Sequence, residues 1–354
     1  MTLAELRKKL RHSQPIVDTD LSGFDFARMP LANAAFVRTR LHGANFAGCD
    51  LSNASFIDCD LTDADFRDAV MHACVFNACN LAAQTMAART VEHCSFAQCD
   101  LHASNWRGQS IKASAFARCD LRNSDWQGAH LFRCAATESK FERANWRNVS
   151  LQRSSFPGLD FRSIDIAGLR ADTAVLIGAD FSGKDLRGIA LQRCTLQRAK
   201  LIDVDLRGAD LTHANCVEAS LIRADLRDAH AASAIFLQSS WQQVAASGVN
   251  LEGAVFQKVS LDRSDLNNIK ASRAIFIQSK VNQCDLAHAD LRLADFSHAR
   301  LSDVDLRGAR LGACRLHNTE LRSTRFSFAA RLRTVRTNKQ LLAAEQPLLS
   351  TGAM

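Results

Sequence analysis

Twelve cysteines, eleven histidines and thirty-seven aspartates and glutamates are the side chains from which a thiolate nucleophile, a zinc site or an acid–base pair would be assembled. Their spacing decides whether they can meet. Eleven of the cysteines stand two residues before a position, mostly Leu or Phe, that returns every fifth residue, as in Cys49 before Leu51 and Cys74 before Phe76. The twelfth, Cys216, occupies the recurring position itself. No C-x-x-C pair and no clustered Cys/His spacing of zinc type occurs, so neither a metal nor another cofactor is expected. A free cysteine commonly fills a core as a small apolar residue, and that is the role expected of all twelve.

The other candidates fare no better as chemistry. Glu92, His93 and Cys94 are consecutive, yet in extended chain His93 and Cys94 point to opposite sides and cannot share a substrate. The remaining histidines, such as His42, His102, His213, His288 and His298, are scattered as surface residues would be. The aspartates follow the same five-residue beat, with Asp185, Asp205 and Asp225 each just before a central residue, where Asp serves turns by bonding backbone amides. No inserted loop builds a pocket between Leu21 and Phe326, and a small-molecule site needs a concavity with convergent polar groups. Neither an enzyme nor a small-molecule substrate is therefore expected.

The elements that carry these residues are set by one period. From Leu21 through Phe26, Leu31, Phe36 and Leu41 to Phe326, every fifth residue is a Leu, a Phe or another mainly apolar residue, without a phase slip. The residue two before it is usually small, as Ala34, Ala44, Ala54 and Ala64 are, and Gly recurs two after it. Neither a helix, with 3.6 residues per turn, nor a simple strand, with two, has this period. So regular a repeat makes a solenoid, in which each unit buries its apolar side only by stacking on its neighbours.

The segments GADLT, RGADL, HADLR and VDLRGARL resemble the pentapeptide repeat family. The resemblance covers most of the chain and implies an all-β fold, a right-handed quadrilateral parallel β-helix of about 15 coils, with four pentads per coil and the central and small residues pointing inward. The sequence independently favours twenty residues per coil: Trp106, Trp126 and Trp146 are 20 apart, as are Cys59, Cys79, Cys99 and Cys119, and Phe36, Phe56, Phe76, Phe96 and Phe116. Such columns place the sulfurs of Cys59 to Cys119, and of Cys74 and Cys94, one coil apart. Their parallel Cβ directions and a reducing compartment argue for free thiols over disulfides.

Sorting outward residues by their number modulo 20 gives four faces of different character. One carries Arg67, Arg107, Arg147, Arg187, Arg207, Arg227 and Arg307 after the central residue and Asp65, Asn105, Asn145, Asp185, Asp205, Asp225 and Asp305 before it. Opposite charges so interleaved argue for a self-neutralised face and against a nucleic-acid track, which would be basic throughout and display aromatics. The opposite face carries Val175, Ile177, Val217, Ile235, Leu237, Val255, Ile275 and Ile277 beside its central residues. AIFLQS at 234–239 and AIFIQS at 274–279 repeat this pattern two coils apart, with Phe236 and Phe276 inward and their neighbours outward. A contiguous apolar strip is seldom left bare on a monomer, so these eight residues are the expected docking site for another protein or a second copy of the chain.

Three regions follow: residues 1–15 as an N-terminal capping helix, 16–328 as the β-helix and 329–354 as a basic tail with a short helix near Lys339–Glu345. Leu3, Leu6 and Leu10 have helical spacing, with Thr2 and Glu5 suited to a capping box that starts a helix covering the first coil. The net charge of +7 resides in the ends. No apolar run spans a bilayer and residues 1–10 lack the apolar core of a signal peptide, so a cytoplasmic location without membrane contact is expected. The resemblance implies either a non-catalytic scaffold of bacterial type, such as those accompanying type VI secretion clusters, or a DNA mimic that binds and protects DNA gyrase. The second implies a strongly acidic rod, whereas this one is close to neutral. The scaffold is the expectation.

Overall fold

A computed structural model describes residues 3–326 and 334–342. The chain divides into two compact units, one ending at Val175 and the other beginning at Leu176. Each is all-parallel β-solenoid, and together they make about 15 turns. Within the first, Ile16–Val17, Ala35–Val37, Ser55–Ile57, Val75–Asn77, Ser95–Ala97, Ala115–Ala117 and Ala135–Thr137 form one parallel sheet, every strand pairing with residues twenty further on. A second sheet of that unit runs from Val70–His72 to Arg170–Asp172. In the second unit, the strands from Ser220–Ile222 to Glu320–Arg322 do the same.

The pentad works residue by residue. The central side chain and the small one two before it are buried, and the residue between them turns outward while its backbone bridges to the next coil. The chain then turns a corner two residues after the centre. Every residue with positive φ has a number ending in 3 or 8, which is that corner: Gly23, Gly43, Gly188 and Gly208 among the glycines, but also Asn53, Asp63 and Arg133. Glycine adopts this conformation without steric cost, and Asn and Asp tolerate it best among the others.

Aspartates just before the centre brace the corner, as the resemblance implies. Asp185, Asp205 and Asp305 each accept the backbone N–H two residues on, at 3.1, 3.2 and 3.0 Å. Bonds from Arg187, Arg207 and Arg307 hold these three carboxyls below the usual range. Where the pentad offers an unsuitable residue, the backbone yields. Arg89 stands at a small inward site, but it is exposed and Ala88 is buried in its place, because an unpaired guanidinium in the core costs far more than a local shift of the turn.

The ends differ. Helix α1 (Leu3–Arg11) buries Leu6 and carries Lys8, Lys9 and Arg11 in its last turn, where cations complement the helix dipole; Thr2, of the expected capping box, lies outside the described residues. At the other end a bridge joins Arg315 to Val335, so the ladder enters the segment expected as a tail. Residues 339–342 are helical; the rest of the expected helix, to Glu345, lies outside the described residues.

Aromatic columns fill the core of the first unit. Phe36, Phe56, Phe76, Phe96 and Phe116 stack with successive ring centroids 4.9 to 5.1 Å apart, and Trp106 stacks on Trp126 at 4.9 Å. The indole N–H of Trp106 donates to Ser104 Oγ and that of Trp126 to Ser124 Oγ, at 2.9 and 2.7 Å. Trp146, next in the column, has Ala144 at the equivalent position, and its buried N–H has no partner among the described residues. A buried donor without an acceptor is costly. The substitution Ala144→Ser is expected to stabilise the protein by about 1 kcal/mol, read as a higher urea midpoint at unchanged slope. A lower midpoint would show that the added hydroxyl is itself poorly satisfied there.

Candidate functional site

The outward apolar residues are placed by the column beneath them. Phe236, Phe256, Phe276 and Phe296 stack with centroid separations of 5.0, 4.8 and 4.5 Å, so the residue preceding each repeats with the same spacing on the surface. Ile235 bridges to Val255 and Val255 to Ile275, which aligns the three side chains as one outward column. Leu237 and Ile277 follow their phenylalanines on the other side, with Gln257 between them and Val217 one coil before Leu237. Ile235 is 38% exposed and the others are half-buried.

Six of the eight expected docking residues, Val217, Ile235, Leu237, Val255, Ile275 and Ile277, are thus brought together. Asn215 and Asp295 bound the column at its two ends through bridges to Ile235 and Ile275. Ile177 is separated from Val217 by Gln197 in its own column, and Val175 is in the other unit. The gap is visible column by column in the sequence, where Thr195 and Gln197 interrupt the strip without breaking the pentad; grouping residues by face conceals it.

The charged face neutralises itself. Arg187, Arg207 and Arg227 pair with Asp185, Asp205 and Asp225 at 2.6, 2.6 and 2.5 Å, and Arg187 and Arg207 also reach the next Asp along the ladder, both at 3.7 Å. Exposed pairs of this kind add little stability, but they compensate the carboxylates of these three coils.

All twelve cysteines are free and buried. The Sγ–H groups of the eight from Cys49 to Cys134 donate to carbonyls of the preceding coil, Cys49 to Phe26 at 2.9 Å and Cys74 to Leu51 at 3.0 Å among them. Ser154 and Thr39 make the same bond, to Leu131 and Ile16, from the same place in the pentad. Cysteine here substitutes for a small hydroxyl residue. Burial pushes the thiols of Cys134 and Cys284 up to about 11 and those of Cys216 and Cys314 up to about 12, which keeps them from acting as nucleophiles near neutrality. His93 is exposed and Cys94 buried, so the two diverge. Among the described residues no group of three His, Cys, Asp or Glu side chains could hold a metal.

A concavity opens within the pentad ladder without any inserted loop, contrary to the expectation that no pocket would form between Leu21 and Phe326. In the first unit the N–H groups of Leu21, Leu41, Leu61, Leu81, Leu101 and Leu121 each donate to the residue nineteen further on, at 2.7 to 2.9 Å. Phe141 occupies the next place and makes no such bond; nor does Glu138, although Arg38, Asp58, Ala78, Gln98 and Arg118 before it all do. A cavity of about 200 Å³ opens there, lined by Ala136, Phe141, Phe156 and Leu159 with Glu138, Lys140, Glu142 and Asp160 around it. The signal was present: Ala136 interrupts a phenylalanine column, and Leu159 fills a site that is Cys or Ser in the coils just before it.

Sequence models described as pentapeptide repeats match residues 129–166, 172–208, 190–228, 272–308 and 299–330, and another of the same description matches 36–80, together more than half of the chain. Comparison with curated proteins gives no match. Among solved structures the chain is similar to HetL, a pentapeptide repeat protein involved in heterocyst differentiation regulation from the cyanobacterium Nostoc sp. strain PCC 7120, at 22% identity over 61% of this chain and 84% of that one, with a TM-score of 0.32. It is also similar to a trypsin-treated variant of QnrB1, a plasmid-mediated fluoroquinolone resistance protein, at 17% identity over 68% and 93%, with a TM-score of 0.37. No helix among the described residues is long and apolar enough to cross a membrane.

Burial of the thiols has a direct readout. Ellman's reagent is expected to leave the native protein almost unmodified over minutes and to titrate all twelve thiols after unfolding in guanidinium. Rapid reaction of several thiols in the native state would show that the columns are open to solvent.

Proposed function

The chain belongs to the pentapeptide repeat family, and from that premise we propose that it is a non-catalytic scaffold that docks another protein, or a second copy of itself, on the apolar face of its second unit. The observation that carries this reading is the unbroken column Ile235, Val255 and Ile275, with Leu237 and Ile277 beside it. Water meets a patch of branched apolar side chains there, while the flank two pentads away is closed by ion pairs. Burial of apolar area favours association by about 25 cal/mol per Å², and a polar rim of Gln238, Lys258 and Gln278 suits the edge of an interface.

The family resemblance alone extends the reading to an accessory role beside a type VI secretion apparatus. Mimicry of DNA toward gyrase fits less well. It calls for rows of uncompensated carboxylates, whereas Asp185, Asp205, Asp225, Asp290 and Asp305 each hold an arginine within 2.7 Å. The paired variant Leu237→Asp with Ile277→Asp is expected to keep its circular dichroism and melting close to those of the unaltered protein, because both side chains are outward, and to lose self-association in sedimentation velocity or retention of its partner in pull-downs. Unchanged sedimentation and binding would refute the docking face; inhibition of gyrase supercoiling at stoichiometric dose would favour the mimic.

A further inference from the structure

We propose that the opening between residues 138–141 and 157–160 of the first unit is a binding site for a small apolar monocarboxylate, about the size of a single substituted ring. This site is separate from the docking face and does not depend on it. Its cavity, about 200 Å³, compares with the roughly 150 Å³ apolar cavity that suffices to hold benzene. Loosening of the aromatic core at the same level marks the place independently: Trp106 and Trp126 are stacked at 4.9 Å, whereas Trp126 and Trp146 are 6.4 Å apart and tilted by 57°.

The lining defines the ligand. Ala136, Phe141, Phe156 and Leu159 supply a buried apolar wall. The N–H groups of Glu138 and Phe141, whose counterparts in earlier coils all donate to a carbonyl, have no acceptor among the described residues. Phe141 is buried and Glu138 exposed at the rim; a buried backbone donor such as that of Phe141 is nearly always satisfied, and a carboxylate oxygen replaces the missing carbonyl with a stronger, charge-assisted bond. The charges at the rim select the same class. Glu138 is engaged by Arg118 at 2.8 Å and Asp160 by Arg162 at 2.7 Å, while Lys140 has no ion-pair partner among the described residues. Glu142, also unpaired there, disfavours a second acid group on the ligand.

Benzoate, benzamide and benzylamine, titrated into the full-length protein by calorimetry and followed through the amide resonances of Glu138 and Phe141, separate the contributions. Benzoate is expected to bind saturably, to shift both resonances and to exceed benzylamine by about tenfold in affinity. Lys140→Gln should weaken benzoate by about fivefold, the worth of one exposed charge pair, and leave benzamide nearly unchanged. Ala136→Phe, which restores the phenylalanine of its neighbours in the column, should abolish binding of both without lowering the melting temperature. Absence of saturable benzoate binding, equal affinity for benzylamine, or undiminished binding by a folded Ala136→Phe protein would each overturn the proposal. If Ala136→Phe does not fold, the response of Lys140→Gln decides alone.

Discussion

Each bridged residue pairs with one twenty residues away in sequence and about 4.8 Å away in space. That interval governs the rest of the structure. Strands of three residues are too short to hold a sheet together singly, so stability comes from repetition, each coil satisfying the N–H and C=O groups of the next. Because the ladder is parallel and in register, whatever side chain occurs at one place meets its equivalent in the adjoining coils. Phenylalanines therefore stack on phenylalanines, the thiol of Cys79 lies between those of Cys59 and Cys99, and Asp–Arg pairs repeat as rows. Stacking rewards likeness, which is why the columns are visible in the composition of the chain before any coordinate is known.

The interval also separates two tasks that compact enzymes mix. Inward positions answer to shape and hydrogen bonding alone, and the cysteines show this: Ala, Ser, Thr and Cys all occupy the small site, and Thr39, Cys74 and Ser154 each send their polar hydrogen to a carbonyl of the coil before. Outward positions make no demand on the fold beyond extended backbone, so they are free to carry a surface. A charged face that neutralises itself and an apolar face that does not can then exist on one repeat. Function in such a protein is written in the flanking residues, and its core residues say almost nothing about it.

Much of this was legible in the pentad. Which residues are buried, where the corners fall and why Asp precedes the centre follow from a period of five read in one phase, and the structure agrees down to Cys216 and the small central residues Ala171 and Ala231. Two features were not legible, each for a physical reason. At Arg89 the period continues in the sequence but the turn shifts to bury Ala88, because the cost of burying a cation is not encoded in the repeat. At Glu138 and Phe141 the ladder opens because Ala136 and Leu159 alter the volume of two coils together, and a pattern read one residue at a time does not register volume. The gap in the apolar strip between Val175 and Ile277 was legible, since Thr195 and Gln197 stand in its own columns, but a face holds more than one column and contiguity depends on each separately.

If the interval of twenty is the true structural unit, removing a whole coil must be tolerated better than removing a single pentad. Deletion of residues 201–220 leaves every downstream residue in its own column, whereas deletion of 206–210 keeps the five-residue motif intact and turns every downstream face by one quarter of a coil. Thermal melting of the two proteins, followed by calorimetry, compares these directly. The coil deletion is predicted to melt cooperatively and at the higher temperature although it loses four times as many residues. Equal melting temperatures, or a more stable pentad deletion, would show that the five-residue motif alone carries the fold and that the columns contribute nothing.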